Sequence, residues 1–380
     1  MENLENLRKE IDEIDDELSA LYIKRMAVVK KIGEEKAKSK TPINSSEREK
    51  QIINRVTKNA DGEVKLYLKR LYEDIFLESK AYQGGFAPAK SPSADKIREL
   101  LKAGEEKFPV SATVACQGTA GAYSGIATEK LFEISDVTYF KTFEGVFSAV
   151  DKGLCEFGVL PIENSSAGSV LEVYDLMKKH NFYIVKSVRV QISHALVGVK
   201  GAKVENIKTV YSHPQALSQC SEYLKKLGVK VIEAENTAVS AKLVAEKNDV
   251  SIGALCSENS AELYDLAVLE KGVQNATNNF TRFICISKAM KIYGGADKIS
   301  VMTSLLNKAG SLNKTLARFS SLGLNLTKLE SRPIANNPFE FTFYFDFEGD
   351  ISSDGVLNLI AELENSSGGF MFLGSYKEVL

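Results

Sequence analysis

The chain has 380 residues, 44% hydrophobic and 26% charged, with a formal net charge of -2 at pH 7. That length predicts two or three domains, and the even charge balance gives no general attraction to nucleic acid or to an anionic membrane. Five scattered cysteines (Cys116, Cys155, Cys220, Cys256, Cys285) and three histidines that do not cluster with them match no zinc or redox spacing, so reduced buried thiols and no metal are expected.

Residues 1–83 read as all helix, with Pro42 as the one proline. The opening MENLENLRKE is polar rather than signal-like, and no apolar run approaches a membrane span, which predicts a cytoplasmic protein. Leu4, Leu7, Ile11, Ile14, Leu18, Leu21, Val28 and Ile32 recur at steps of three and four, predicting a helix from about residue 4 to 38. So long a helix with one apolar face needs a partner, most simply a second copy of itself. Arg25 and Lys36 interrupt that stripe, where charge is costly unless an anion meets it. TPINSSEREK breaks the helix, with Ser45 or Ser46 as N-cap of a second one carrying Ile52, Ile53 and Val56. After a turn at NADGE, a third helix runs from about Val64 to Gln83. On its apolar face Ser79 and Gln83 stand four apart and require polar partners. Arg8, Arg25, Lys36 and Arg48 lie on or beside apolar faces. Taken singly, each suits a salt bridge to a helix acid. Together with Ser79 and Gln83 they suit a pocket for a small dicarboxylate with an ether or hydroxyl group.

Residues 89–110, within QGGFAPAKSPSADKIRELLKAGEEK, read as a linker with a short charged helix. From 111 to 290, short apolar strands (TVACQ, VTYF, FGVLPI, KTVYS, VKVIEA, SIGAL, RFICIS) alternate with helical patterns at 143–152, 168–180 and 214–227. This predicts an α/β region with a largely parallel sheet. The extended run FYIVKSVRVQISHALVGV (182–199) interrupts the alternation and is expected to pass from one lobe to another. GTAGAYS, GVLPIENSSAG, YSHPQALSQC and NNFTRF are polar turns, three of them beyond the carboxyl ends of strands, where open α/β sheets bind ligands. Each alone is equally well a capped turn; four without a metal motif point to a small anionic ligand.

Residues 298–378 change texture. KISVMTSLL, LNLTKLESR, FEFTFYFDFEG and GFMFLGSY read as strands, 310–322 and 351–365 as helices. The order βαββαβ predicts an α+β ferredoxin-like domain.

Three resemblances follow from these strings. LRKEIDEIDDELSALYIKRMAVVKKIGEEKAKSKTPINSSEREKQII and LYEDIFLESKAYQ resemble the all-helical chorismate mutase domain, which implies a mutase over residues 1–88 and an entwined dimer with two sites. Carried over, Arg8 (from the second copy), Arg25 and Arg48 grip the carboxylates of chorismate, with Ser79 on a carboxylate. Lys36 and Gln83 meet the ether oxygen, and Glu49 and Ser45 the ring hydroxyl. A member of that family has an aspartate where this chain has Ser45. Arg25 and Lys36 are about 16 Å apart along an ideal helix, too far to hold one carboxylate, so Arg25 is the clamp and Lys36 reaches back. Over 111–290, PIENS, SHPQ with the following QC, and TRF resemble prephenate dehydratase, implying two lobes like those of type II periplasmic binding proteins. There Thr281 is the residue tied to catalysis, as proton donor or part of a relay. Asn164, Ser165, Ser212, Gln215, Gln219 and Arg282 would bind prephenate, and His213 ranks below Thr281 as an acid. NKAGSLNKTLARFSSLGLNLTKLESRP resembles the ACT-type regulatory domain, implying a phenylalanine site at a subunit interface made by Gly310, Ser311, Leu312, Asn325, Leu326, Glu330 and Ser331. The full order is similar to the bifunctional chorismate mutase/prephenate dehydratase family, which implies chorismate, prephenate and the effector phenylalanine as small-molecule partners, no cofactor, and a homodimer or higher homo-oligomer. A solute-binding or sensing protein, or a dehydratase with a purely dimerising helical domain, are the alternatives.

Overall fold

The structure is a computed structural model that describes residues 2–39, 41, 43, 45–86, 90–104, 106–276, 278–305, 307–308, 310–334, 341–366 and 368–380. The helix break at Pro42 and positions 87–89 and 105 of the expected linker lie outside the described residues. The chain divides into two compact units, Met1–Lys102 with Met302–Phe370, and Ala103–Val301 with Met371–Leu380.

The first unit opens with α1 (Glu2–Ser39), α2 (Ser46–Val56), α3 (Gly62–Gly84) and α4 (Pro92–Ala103). Ser45 is the N-cap of α2, without a side-chain cap bond. Within the single chain the eight apolar residues of the α1 stripe do not face α3: they remain 42–61% exposed. The row that meets α3 contains Val29 and Gly33. A Cβ on Gly33 would stand 2.7 Å from the Phe86 ring and 3.2 Å from the Gln83 Cα, so a residue without a side chain lets the helices approach. Arg25 and Lys36, both half-buried, lie between the exposed row and this buried one.

The second unit alternates as the apolar runs require. Its elements are β1 (Ser111–Gln117), α5 (Tyr123–Leu131), β2 (Ile134–Phe140), α6 (Phe143–Asp151), β3 (Phe157–Asn164), β4 (Gly168–Ser169), α7 (Leu171–His180) and β5 (Tyr183–Gln191). There follow β6 (Ala195–Gly198), β7 (Thr209–Ser212), α8 (Pro214–Gln219), α9 (Ser221–Leu227), β8 (Lys230–Glu233), α10 (Thr237–Lys247), β9 (Ile252–Cys256), α11 (Glu258–Leu263), β10 (Ala267–Glu270) and β11 (Phe280–Ser287). One sheet runs β5-β11-β3-β1-β2 and the other β10-β6-β9-β7-β8. The chain therefore forms two lobes and crosses between them twice, after β5 and before β11. Each sheet is mixed rather than largely parallel. β1 is parallel to β2 and β3, and β7 to β8 and β9, while β11 runs antiparallel to β3 and β5, and β6 to β9 and β10. The reason is the crossing itself: β11 returns beside β5, which left the lobe in the opposite direction. Each lobe has its own apolar core, one around Val114, Val159, Val188 and Cys285, the other around Leu196, Val210, Leu255 and Cys256. All five cysteines are buried and unpaired. The helix expected over 214–227 is split at Cys220 into α8 and α9.

The chain then forms β12 (Lys298–Leu305), α12 (Ser311–Ser321), β13 (Asn325–Pro333), β14 (Phe341–Glu348), α13 (Asp354–Ser366) and β15 (Phe370–Val379), with strand order β13-β14-β12-β15. Within the first unit this module meets the helices. Asn358 Nδ2 donates to the Gly84 carbonyl at 2.7 Å, and the Ser93 backbone N–H and hydroxyl both donate to Glu364 at 3.0 and 2.9 Å. Ala94 and Ile97 of α4 are completely buried. The expected linker is thus a docked helix, because its two apolar residues have a surface to cover. In the second unit, residues 377–379 of β15 pair in parallel with 186–188 of β5. Gly374 permits this: its φ is +149°, and a Cβ there would lie 2.1 Å from the Ile184 carbonyl oxygen.

Candidate active sites

In the helical region three predicted residues meet. The Arg25 guanidinium donates to the Ser79 hydroxyl, which donates to the Ile75 carbonyl. Gln83 Nε2 donates to the Ser79 carbonyl at 3.2 Å, leaving its Oε1 buried without a partner among the described residues. A buried amide oxygen without a partner costs free energy, and a bound ligand or water relieves it. Lys36 donates to the Ile43 carbonyl at 2.9 Å. Glu49 reaches α3 through Lys80 at 3.2 Å. Three predicted residues stay apart from this cluster. Ser45 and Arg48 are exposed, Arg48 turning to Gln51 of its own helix at 3.4 Å. Arg8 is exposed and about 25 Å from Arg25 along an ideal helix, beyond the reach of one pocket within one chain.

In the α/β unit the strongest constellation joins the ends of β3 and β11. Asn164 Oδ1 accepts the backbone N–H of Ser166 and of Ala167 at 3.0 and 2.9 Å, fixing the turn. Its Nδ2 is thereby directed at β11, where it donates to Thr281 Oγ1 at 2.9 Å and to Asn279 Oδ1 at 2.7 Å. A hydroxyl oxygen that accepts an amide hydrogen keeps its own proton for another acceptor. Ser165 clamps the same two segments, its hydroxyl donating to the Asn278 carbonyl at 3.1 Å and accepting the Phe280 N–H at 3.0 Å.

The remaining expectations divide. Gln215 is exposed at the start of α8, and His213 caps that helix, its Nδ1 accepting the Gln215 N–H at 3.3 Å. Burial lowers the pKa of His213, with Glu233 opposing, so it is a neutral cap. Gln219 Oε1 faces His194 Nε2 at 3.1 Å. Two expectations are corrected. Ser212 is fully buried, its hydroxyl donating to the Leu255 carbonyl at 2.7 Å, so it ties β7 to β9 beneath the turn. Arg282 follows Thr281 along a strand and therefore points to the opposite face. It is buried there, with Nε 2.9 Å from Glu163 Oε1, so protein carboxylates occupy it.

Sequence reasoning missed two residues here. Asn279, inside the quoted NNFTRF, is buried against Asn164. His194, the one polar ring in the apolar run QISHALVGV, sits at the crossing between lobes. It is 2% exposed, its backbone N–H donates to Gln274 Oε1 at 3.0 Å, and its Nδ1 is buried without a partner among the described residues. Burial pushes its pKa below the ordinary range, against the Gln219 contact. The GTAGAYS loop closes the same crossing: Tyr123 donates to the Ser193 carbonyl at 2.6 Å, and the Gly121 carbonyl accepts from Ser260 at 2.9 Å.

In the C-terminal module Gly310 has a φ of +83° at the N-cap of α12, with Ser311 and Leu312 opening the helix. Asn325, Leu326, Glu330 and Ser331 lie along β13, the edge strand, with Asn325 donating to Glu348 at 2.9 Å.

Comparison with known proteins matches these regions. Residues 114–291 match the family model for Prephenate dehydratase, and residues 7–84 that for Chorismate mutase type II. The bifunctional chorismate mutase/prephenate dehydratase of Aquifex aeolicus (strain VF5) is 32% identical over 386 residues, covering 100% of this chain and 99% of that protein. The protein of that name from Escherichia coli (strain K12) is 31% identical over 385 residues, 97% of this chain and 95% of the other. Among solved structures, the prephenate dehydratase from Arthrobacter aurescens in complex with L-Phe matches with a TM-score of 0.64 at 26% identity, over 70% of this chain and 90% of that one.

Proposed function

Since this chain belongs to the family of bifunctional chorismate mutase/prephenate dehydratases, we propose which of its residues carry each reaction and how the product amino acid regulates it. The chain rearranges chorismate to prephenate and converts prephenate to phenylpyruvate. The first reaction is intramolecular and requires no nucleophile or cofactor, only a held conformation and stabilised charge. Arg25, seated on Ser79, clamps a carboxylate. Lys36 and Gln83 serve the ether oxygen, where negative charge develops as the bond breaks. Arg48, Glu49 and Ser45 approach the ring from α2, and Arg8 comes from a second copy of the chain. The exposed apolar stripe of α1 supports that second copy, since a stripe this long left in water favours association.

In the second reaction the ring carboxylate leaves as carbon dioxide. Its electron pair moves into the ring and expels the ring hydroxyl, which takes up a proton and departs as water. Thr281 is the group tied to that proton, directly or through a relay, with Asn164, Ser165, Gln215 and Gln219 around the substrate. The observation that carries this reading is the hydrogen bond from Asn164 Nδ2 into Thr281 Oγ1, which leaves the threonine proton for the substrate. The βαββαβ order of residues 298–378 supports an ACT-type module binding phenylalanine through Gly310–Leu312, Asn325, Leu326, Glu330 and Ser331 at a subunit interface. Among the described residues no helix is long and apolar enough to cross a membrane, and we read the enzyme as cytoplasmic.

A coupled assay of the purified chain on chorismate tests the whole. Phenylpyruvate should form, and added phenylalanine should slow it. A rate indifferent to phenylalanine removes the regulatory part, and failure to form phenylpyruvate removes the main reading.

A further inference from the structure

Beneath the first sheet, on the face opposite Thr281, three cations gather around one carboxylate. Glu378 of β15, whose side chain is 8% exposed, lies 2.6 Å from Arg189 Nη2, 3.0 Å from Lys298 Nζ and 3.8 Å from Arg282 Nη1. The Arg282 and Lys298 side chains are 5% and 6% exposed. Tyr376, two residues earlier on the same face of β15, places its hydroxyl 3.5 Å from Arg282 Nη1 and 2.8 Å from Ser300 Oγ. Cations buried to this degree need carboxylates close by. Glu163 supplies one to Arg282, and Glu378 is shared among all three.

The position of this cluster along the strands matters more than its charge. Glu163 pairs across the ladder with Arg282, and the next pair is Asn164 with Thr281. The β3–β11 register shifts immediately after Arg282, between Arg282 and Phe283. On the β3 side the two pairs at the catalytic end are thus set apart by an irregularity, where pairing is locally disrupted, while on the other side β11 keeps its register with β5. With one flank irregular, what lies under them adds to how firmly they are held. We propose that Glu378 is a positioning residue for the dehydratase: it anchors Arg282 from below, and through Arg282 the backbone that sets Thr281 against Asn164. This inference rests on the reading of Thr281 given above.

The test uses the full chain and compares Glu378→Gln, Glu378→Asp and Thr281→Val. Glu378→Gln keeps the shape and removes the charge. Its dehydratase kcat should fall about tenfold or more, with KM for prephenate changed less than about threefold, as a displaced catalytic group requires. Chorismate mutase activity should be unchanged, and Glu378→Asp should recover most of the lost kcat. A Glu378→Gln protein with a lowered melting temperature but wild-type kcat overturns the proposal, as does a kcat that falls only in step with mutase activity. Should Glu378→Gln not fold, Tyr376→Phe decides: it removes one hydroxyl from the same anchor, and an unchanged dehydratase kcat overturns the proposal. Thr281→Val separates the two levels. If it keeps full activity, the reading of Thr281 itself fails; if it is inactive while Glu378→Gln is not, only the positioning role fails.

Discussion

In the proposed mutase site Arg25 and Lys36 stand on one helix and have different roles. Arg25 is docked on Ser79, whereas Lys36, tied to the Ile43 carbonyl, would exchange that bond for the ether oxygen when substrate enters. Arg25→Ala should therefore raise the mutase KM about tenfold with a smaller effect on kcat, while Lys36→Ala should lower kcat about 100-fold. Steady-state kinetics on chorismate check both, and equal effects on KM and kcat in the two variants would contradict the division. His194 makes a second residue-scale prediction. Burial holds its pKa below the ordinary 6.5, so the folded chain keeps it neutral while the unfolded chain takes the proton first. The stability this group contributes is therefore complete above about pH 6.5 and is lost as pH falls below it, by at most about 1.4 kcal/mol per pH unit. Melting curves from about pH 7 to about pH 5 should slope less steeply for His194→Asn than for the wild type. The cations on or beside apolar helical faces stood out in the sequence, but taken singly each suited a salt bridge, and only the resemblance gave them roles. Arg282 was misplaced although strand alternation already put it opposite Thr281; adjacency in the string TRF concealed that. Ser212 and Asn279 depend on long-range pairing, Ser212 with a carbonyl of β9 and Asn279 with Asn164, which one sequence does not display.

At the scale of elements, periodicity located the helices and strands well, and what it missed has physical causes. The α1 stripe required a partner, most simply a second copy, and within the chain α3 packs instead on the neighbouring row, where Gly33 allows a close approach. Gly33→Ala should force α1 from α3, lowering stability by about 1–3 kcal/mol, as overpacking does. It should also reduce mutase kcat by moving Gln83, whose Cα lies within 3.2 Å of the added carbon. Denaturant unfolding and a mutase assay check it; a stable, fully active variant would show that the close approach is not needed. The lobe crossing was anticipated from one extended run, yet the resulting antiparallel pairs were not, since register between β5 and β11 is set by where the chain returns rather than by composition. The docked α4 was hidden for a similar reason: two buried residues, Ala94 and Ile97, are too short a pattern to announce a surface.

At the scale of the whole molecule, the proposed mutase site takes Arg8 from a second copy, because Arg8 lies about 25 Å from Arg25 along its own helix. Mixing Arg8→Ala and Lys36→Ala proteins, each nearly inactive alone, should therefore regain about a quarter of wild-type mutase activity, since half the random dimers carry one intact site of two. No recovery after subunit exchange would place Arg8 outside the site. Both reactions belong to the same chain, and the link between them is prephenate. The most direct measurement supplies chorismate to the Thr281→Val protein and follows both products. The account predicts that chorismate is consumed at the wild-type rate, prephenate accumulates and phenylpyruvate stays near background. Phenylpyruvate forming as fast as in the wild type, or chorismate left unchanged, would contradict it.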